Sequence, residues 1–470
     1  MRESARLPKS GRKSASTPGF VKPNPVLWPN AQAKLRWQSS LQWPITDRLN
    51  AKGARVSSIR PLIPLLIAAG ILLGGNGLQS TLIALRGARE GFSPATIGFM
   101  GTAYFVGFLI GCLTITRMMK AVGYVRSFAT LAAIASAGTL ILILFIDPIV
   151  WSAVRLMSGF AFAGLFTVME AWINSTVTNQ NRARTLAIYR VIDIGSVTGA
   201  QFIIPVVGVD GFAIFAIMSI MLTLSLVPVS LGDRSSPRVP DEVKLDIRRA
   251  WAISPLAAIG CVGVGVTNSA FRALSPVYAE QLGMSVTDIV TFITCGIIGG
   301  ALIQYPLGYL SDRWDRRSVI LGATIAAMFA ALALVYLAGA DPLRNFVLVF
   351  IFGSCAMPMY SLCAAHANDR AGPGEFVMIN AALMLFYSFG AVAGPIAAAT
   401  MMQQFGPVAL FQFSAAVYFV LAIITAWRMA VRSAVPTERQ GRFVALLRTS
   451  TLFARLARRP ADKAKGRAQP

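Results

Sequence analysis

The chain has 470 residues, of which 55% are hydrophobic and only 13% are charged; soluble domains carry about 25% charged residues. The apolar residues come in blocks long enough to cross a bilayer, which takes about 20 residues, and there is no ten-residue alternation of the kind a membrane β-barrel needs. The net charge of +23 is that of a nucleic-acid binder if the chain is soluble, but blocks of this length exclude that class and give an all-α polytopic membrane protein.

Residues 1–59 are rich in Ser, Pro, Lys and Arg, the composition of a disordered tail. Trp28, Trp37 and Trp43 stand among basic residues there, suited to touching a membrane surface. Because this polar stretch precedes the first apolar block, no cleavable signal peptide is expected. Twelve spans follow, predicted at about 61–85, 95–116, 127–146, 149–173, 185–207, 211–231, 254–277, 286–307, 318–339, 345–367, 377–400 and 408–427. The longest connection, 232–253, is charged and contains Pro237 and Pro240. It divides the membrane part into an N-terminal half, 60–231, and a C-terminal half, 254–428. In the tail 429–470, Phe443, Leu446, Phe453 and Leu456 share an arc opposite Arg448, Arg455, Arg458 and Arg459. That pattern reads as an interfacial helix on anionic lipid.

Lys and Arg are distributed unevenly. Twelve lie in residues 1–60, eleven in 428–470 and fourteen in the loops that twelve spans put on the same side as the termini. The other side holds three, Arg86, Arg89 and Arg344. The positive-inside rule then places both termini in the cytoplasm. Anionic headgroups account for the basic tails, and no nucleic-acid partner is expected.

The halves repeat weakly. A shift of 192 residues lays Asn76 of span one on Asn268 of span seven and loop 117–126 on loop 309–318. A shift of 195 lays Gly195 and Gly199 of span five on Gly390 and Gly394 of span eleven. Small residues four apart, as in these two pairs and in Gly70/Gly74, Gly107/Gly111 and Gly296/Gly300, let helices approach closely in lipid.

The second-half loop carries the densest charge between spans: Gly308-Tyr309-Leu310-Ser311-Asp312-Arg313-Trp314-Asp315-Arg316-Arg317. The pattern Gly308, Asp312, Arg313, Arg316, Arg317 resembles the signature loop of the major facilitator superfamily of secondary transporters. The usual pattern has Gly where this chain has Asp315. In the first-half copy, Lys120 falls where Asp312 stands. The resemblance covers about residues 60–428 and implies twelve transmembrane helices in two pseudo-symmetric six-helix halves, with spans one, four, seven and ten lining a central cavity. It also implies that Asp369 pairs with Arg313 or Arg316, a kind of pair that holds the cytoplasmic side closed in this fold. Gly390-x-x-x-Gly394-Pro395 resembles a motif of antiporters, but lies on span eleven, and span five has Ala200 in place of the Pro, so symport and antiport both stay open. Within the superfamily the sequence looks most like the YcaD-type branch, on Glu170-Ala171-Trp172-Ile173-Asn174, Pro276-Val277-Tyr278-Ala279 and Ala365-His366-Ala367-Asn368-Asp369-Arg370. That branch does not fix a substrate.

Ionisable groups at membrane depth cost several kcal/mol and point to function. Five stand out: Arg155, Glu170, Arg190, Asp193 and Arg272. Arg155 and Arg272 fall at similar depth with no acidic partner in any span. If both face the cavity, they make a cationic site for a carboxylate or phosphate, with Asn76 and Asn268 beside it; the alternative is that each reaches for headgroups or a backbone carbonyl. Arg155 and Glu170 share a face of span four with Gly159, Phe162 and Phe166, a candidate cavity wall or a packing face. Near the cytoplasmic end, Glu170 and Arg190 can pair across the span-four/span-five hairpin, as a structural tie or as a gate. Asp193, one turn from Arg190, is the candidate proton carrier. His366 is the only histidine, read as a polar group at a helix end.

The five cysteines all fall inside spans, without a CxxC or Cys/His cluster, and read as apolar fillers. No Walker motif, nucleophile triad or metal cluster occurs, so neither enzymatic activity, metal nor cofactor is expected. The function read from the chain is a monomeric secondary transporter of the bacterial cytoplasmic membrane, moving a small solute by alternating access, with proton coupling and anion selectivity. The alternatives are drug or metabolite efflux on the same fold, or a non-transporting sensor or scaffold.

Overall fold

The computed structural model describes residues 62–177, 182–231, 245–372 and 374–432, together with Gly441 and Phe443. The tail 1–59 and the stretch 444–470 lie outside the described residues, so the expected disordered tail and most of the interfacial stretch go undescribed. The N-terminal half holds α1 (Ile63–Arg89), α2 (Pro94–Val122), α3 (Tyr124–Leu144), α4 (Pro148–Thr176), α5 (Arg182–Gln201), α6 (Ile203–Val207), α7 (Ala213–Leu224) and α8 (Leu226–Leu231). A short helix of the linker, α9 (Ile247–Ile253), precedes the C-terminal half: α10 (Pro255–Gln281), α11 (Val286–Arg313), α12 (Arg316–Leu337), α13 (Pro342–Ala356), α14 (Met359–Asp369), α15 (Phe376–Phe405) and α16 (Ala409–Val431). Among the described residues, twelve segments are long and apolar enough to span a membrane.

Proline and caps explain where the helices start and stop. Pro205 and Pro228 lack an amide hydrogen and clash with the carbonyl four residues back, and α5 and α7 stop at Gln201 and Leu224, four residues before each. Spans five and six are therefore each two helices in line, and span ten is divided at Met357–Pro358. The matching turns Asp147-Pro148 and Asp341-Pro342 start α4 and α13. Each Asp caps its helix, Asp147 accepting from the Ile149 and Val150 amides at 2.9 Å and Asp341 from Leu343 at 3.1 Å, and Pro sits at the first helical position, where no amide is needed. The expected loop 117–126 shrinks to Gly123, whose φ of 84° joins α2 directly to α3. Only glycine adopts that backbone readily.

Close helix packing builds each half. A Cβ on Gly107 would overlap the Leu156 carbonyl, and one on Gly159 the Tyr104 carbonyl, so α2 and α4 touch backbone to backbone. In the other half, Gly390 and Gly394 of α15 meet the Val262 and Val266 carbonyls of α10 in the same way. Their repeat partners behave differently: a Cβ at Gly195 or Gly199 would meet nothing within 4 Å, while Gly70 and Gly74 of α1 face α5 through Ser196 and Ala200.

The two ends of the bundle differ. At the end carrying the α1–α2 turn, here called the far end, Gly98 of α2 lies against Pro395 and Ala399 of α15, and Gly101 against Ala273 of α10. Thr102 Oγ1 donates to the Val392 carbonyl at 2.9 Å. Arg89 joins Asp210 at 2.5 Å and reaches Glu280 of the other half at 3.6 Å. Arg86 pairs with Glu90 at 2.5 Å and donates to the carbonyls of Val209 and Asp210. Of the three basic residues that the charge bias assigns to this side, Arg89 thus bridges the halves and Arg86 holds the turn beside it. The opposite end, which carries Gly308–Arg317, is here called the signature end.

Candidate functional site

A cavity of about 240 Å³ lies between the halves, walled by α1, α2, α4, α5, α10, α11, α14 and α15. That is room for a small solute; sites for drug-sized ligands run to roughly 300–1,000 Å³. Its charged lining residues are Arg190, Asp193 and Arg272. Asn76 and Asn268, the pair related by the repeat, both line it.

Arg272 is held by neutral groups. Its Nε donates to Ser80 Oγ at 3.1 Å and its Nη2 to the Asn76 carbonyl at 3.4 Å. Asn76 Oδ1 in turn accepts from the Tyr104 hydroxyl at 3.0 Å. Arg155 lies behind this layer. Its guanidinium carbon is 4.3 Å from the centroid of the Tyr104 ring, and its Nη1 donates to Gln79 Oε1 at 3.0 Å. Arg155 lines a separate recess of about 20 Å³ whose other walls include Ser80, Tyr104 and Arg272. The structure therefore brings Arg272, Asn76 and Asn268 to the main cavity and sets Arg155 one side chain away, against Tyr104.

Asn268 is 6% exposed and, among the described residues, its Nδ2 has no hydrogen-bond partner. A buried donor left in this state costs about 1–3 kcal/mol. Toward the signature end, Arg190 donates to Asp193 Oδ2 at 3.1 Å and to Gln304 Oε1 of α11 at 2.8 Å. Gln304 Nε2 passes the network on to Ser361 Oγ at 2.9 Å. Glu170 is fully buried in α4.

The α4 face read as a candidate wall divides. Phe166 lines the cavity, Phe162 is fully buried 5.9 Å from it, and Gly159 packs on α2. Tyr360 and Tyr387, edge to face at 5.6 Å, also line the cavity. Tyr305, 60% exposed, points away from the site. Reading the chain by its ionisable groups passes over Tyr104 and Ser80, which position both arginines; an aromatic hydroxyl inside a glycine-rich span is the only sequence signal they give.

At the signature end, Asp312 accepts from Arg316 at 3.0 Å and Asp369 pairs with Arg316 at 2.5 Å. The choice left open between Arg313 and Arg316 falls on Arg316; Arg313 instead lies over the Tyr309 ring at 4.2 Å. All of these groups belong to the second half. Asp315, the departure from the usual Gly, caps α12 by accepting from the Arg317 amide at 3.0 Å and binds the Arg317 guanidinium at 2.8 Å. Burial alone raises the Asp315 carboxyl, but the Arg317 contacts outweigh it and hold the group below its ordinary value. His366 is buried at the end of α14 beside Arg317, Arg370, Arg428 and Arg432. Among the described residues, no group of three or more His, Cys, Asp or Glu could hold a metal ion.

Two pseudo-symmetric six-helix halves around a shared cavity agree with the comparison to known families. The model of the Major Facilitator Superfamily matches residues 65–386. The chain belongs to the Major Facilitator Superfamily. It is a membrane transporter and not an enzyme, and proteins of the Major Facilitator Superfamily carry small-molecule solutes. An MFS-type transporter of Enterobacter sp. (strain 638) is 26% identical over 372 residues, covering 78% of this chain and 95% of that relative. The MFS-type transporter YcaD of Escherichia coli O6:K15:H31 is 27% identical over 375 residues, with the same coverage. Among solved structures, the nucleoside transporter NupG superposes with a TM-score of 0.68 at 11% identity, covering 79% of this chain and all of NupG. A bacterial homologue of the lysosomal transporter Spinster, in an inward-facing and occupied conformation, gives 0.63 at 15% identity, covering 80% of this chain and 96% of its own. At these identities the structures share the fold.

Proposed function

We propose that the chain is a secondary active transporter of a small anionic solute, carried through the central cavity by alternating access and coupled to protons at Asp193. The observation that carries the anion is Arg272. It lines the cavity, and among the described residues its partners are a hydroxyl and a carbonyl, both neutral. Arg190 faces Asp193, so the lining groups together leave one positive charge. A carboxylate or phosphate ester at Arg272 would relieve that charge, and Asn76 and the spare Nδ2 of Asn268 would add neutral hydrogen bonds. Arg155 supports the site through Tyr104. Glu170 and Arg190 serve coupling or gating, and Gly308, Asp312, Arg313, Arg316 and Arg317 serve the movement of the halves. The protein works as a monomer in the bacterial inner membrane, with the signature end and both termini in the cytoplasm and the basic tails on anionic lipid.

The test is a thermal-shift screen of the purified protein against small carboxylates, phosphate esters, neutral solutes and cationic drugs. Uptake of hits into proteoliposomes, with and without a pH gradient, follows. An anion that raises the melting temperature of wild type is expected to lose at least tenfold in affinity with Arg272→Gln, about 1.4 kcal/mol, without loss of the fold. A preference for cationic compounds, or full affinity in Arg272→Gln, overturns the reading.

A further inference from the structure

The last described residues of the chain, Gly441 and Phe443, are seated on the signature loop. The Phe443 amide donates to both oxygens of Asp312, at 2.7 and 3.0 Å. The Gly441 amide donates to Asp369 Oδ1 at 2.9 Å, and the Gly441 carbonyl accepts from Arg316. The side chain of Phe443 covers Gly308 so closely that a Cβ there would overlap its ring. Phe443 packs on the same apolar cluster as Leu307 and Leu310 of α11 and Leu186 and Ile188 of α5. Two carboxylates and one guanidinium thus read the backbone of Gly441 and Phe443, and one glycine makes room for the Phe443 ring. Amide-to-carboxylate bonds are charge-assisted, roughly twice as strong as neutral ones.

The place of that ring gives the contact its meaning. Gln304 of α11 is the residue that receives Arg190 from the first half at 2.8 Å. Gly308 stands four residues on, on the same face and about 6 Å further along the axis. The face of α11 that meets the first half at Gln304 therefore continues to Gly308, a residue that would allow a helix to come close. Phe443 occupies that turn. At the far end, the equivalent seam between the halves is filled by direct helix contact at Gly98 and Gly101; at the signature end Phe443 covers Gly308, on the face of α11 that leads from Gln304.

We infer that the tail, through Gly441 and Phe443, is a strap that wedges the seam between the halves at the signature end, and that this end closes only when Phe443 leaves Gly308. The strap is an intramolecular docking contact, and anything that draws the tail away would favour closure. The inference rests on alternating access, since only a transporter that closes both ends in turn needs the strap to move.

The test uses full-length protein in lipid nanodiscs and no solute, so it reports on the strap whether or not the anion reading holds. Hydrogen–deuterium exchange should show protection of the Gly441 and Phe443 amides in wild type, lost in Phe443→Ala together with part of the protection of 308–317. Exchange at the free-peptide rate in wild type overturns the docking. Spin labels at Val125→Cys and Ser318→Cys, with the native cysteines replaced, report the separation of the halves at this end. Phe443→Ala and a chain ending at Arg432 should both shift the distances to shorter values, while Phe443→Leu, which keeps an apolar wedge, should stay near wild type. Distances unchanged in Phe443→Ala and in the shortened chain overturn the wedge, even if the segment is docked.

Discussion

Arg190 and Gln304, from opposite halves of the protein, are joined by a hydrogen bond of 2.8 Å at the edge of the central cavity. The same guanidinium holds Asp193 at 3.1 Å. Protonation of Asp193 would weaken its hold on Arg190, the residue that bridges to Gln304 of the other half.

Asp193→Asn is therefore expected to uncouple transport from the pH gradient while leaving exchange of bound solute across proteoliposomes. Counterflow and gradient-driven uptake, measured side by side, separate the two. A mutant whose uptake follows the gradient as wild type does would make Asp193 a structural acid.

Arg155 lies over Tyr104, whose ring lines the cavity. A cation over an aromatic face is worth about 0.5–2 kcal/mol, and Arg155→Gln removes it while a polar side chain remains near Gln79. Solute affinity should fall less than in Arg272→Gln, and Tyr104→Phe, which loses the bond to Asn76, should resemble Arg155→Gln. If the double variant Arg155→Gln/Tyr104→Phe loses the sum of the two single effects, the two residues act independently and the chain of contacts carries nothing.

The signature loops of the two halves have diverged. Asp312 binds Arg316 and the Phe443 amide, whereas its repeat partner is Lys120. Asp312→Asn should reduce transport far more than Lys120→Ala at matched surface expression. Equal losses would show that both loops still share one role.

Asp315 makes a pH-dependent contribution to stability. Its carboxyl is held below the ordinary value by Arg317, so the stabilisation is fully present above the unfolded pKa and disappears as pH falls through the lower folded one. At neutral pH, Asp315→Ala should lower the melting temperature more than Asp315→Asn, because Asn still caps α12; loss of such a cap costs about 1 kcal/mol. The gap between wild type and Asp315→Asn should shrink below about pH 4. A gap that is constant from pH 7 to pH 3 would show that the ion pair with Arg317 adds nothing.

The fold was legible because lipid admits few solutions: apolar length, basic loops and a signature between two spans leave little choice. The charged groups were legible one by one, since each is costly at depth. Their mutual arrangement was not, because rotation of a helix by one residue decides whether Arg155 meets the cavity or the back of Tyr104. Helical spacing put Phe162, Phe166 and Gly159 on one face of α4, yet one lines the cavity while another supports contact with α2. Amphipathic spacing likewise assigned Phe443 to lipid, where the structure seats it on Gly308. Pattern alone cannot see a vacancy left by a glycine on a distant helix. Asp315 is the opposite case: a departure from the family pattern that turns out to be a helix cap.

Gly98 gives the experimenter a handle on this molecule. Its missing Cβ is what lets α2 lie against Pro395 and Ala399, so a single added methyl at this position works as a doorstop. Gly98→Ala would prop the far end ajar without touching any cavity residue. Such a variant offers a route to capturing the other conformation for conformation-specific antibodies and for structure determination.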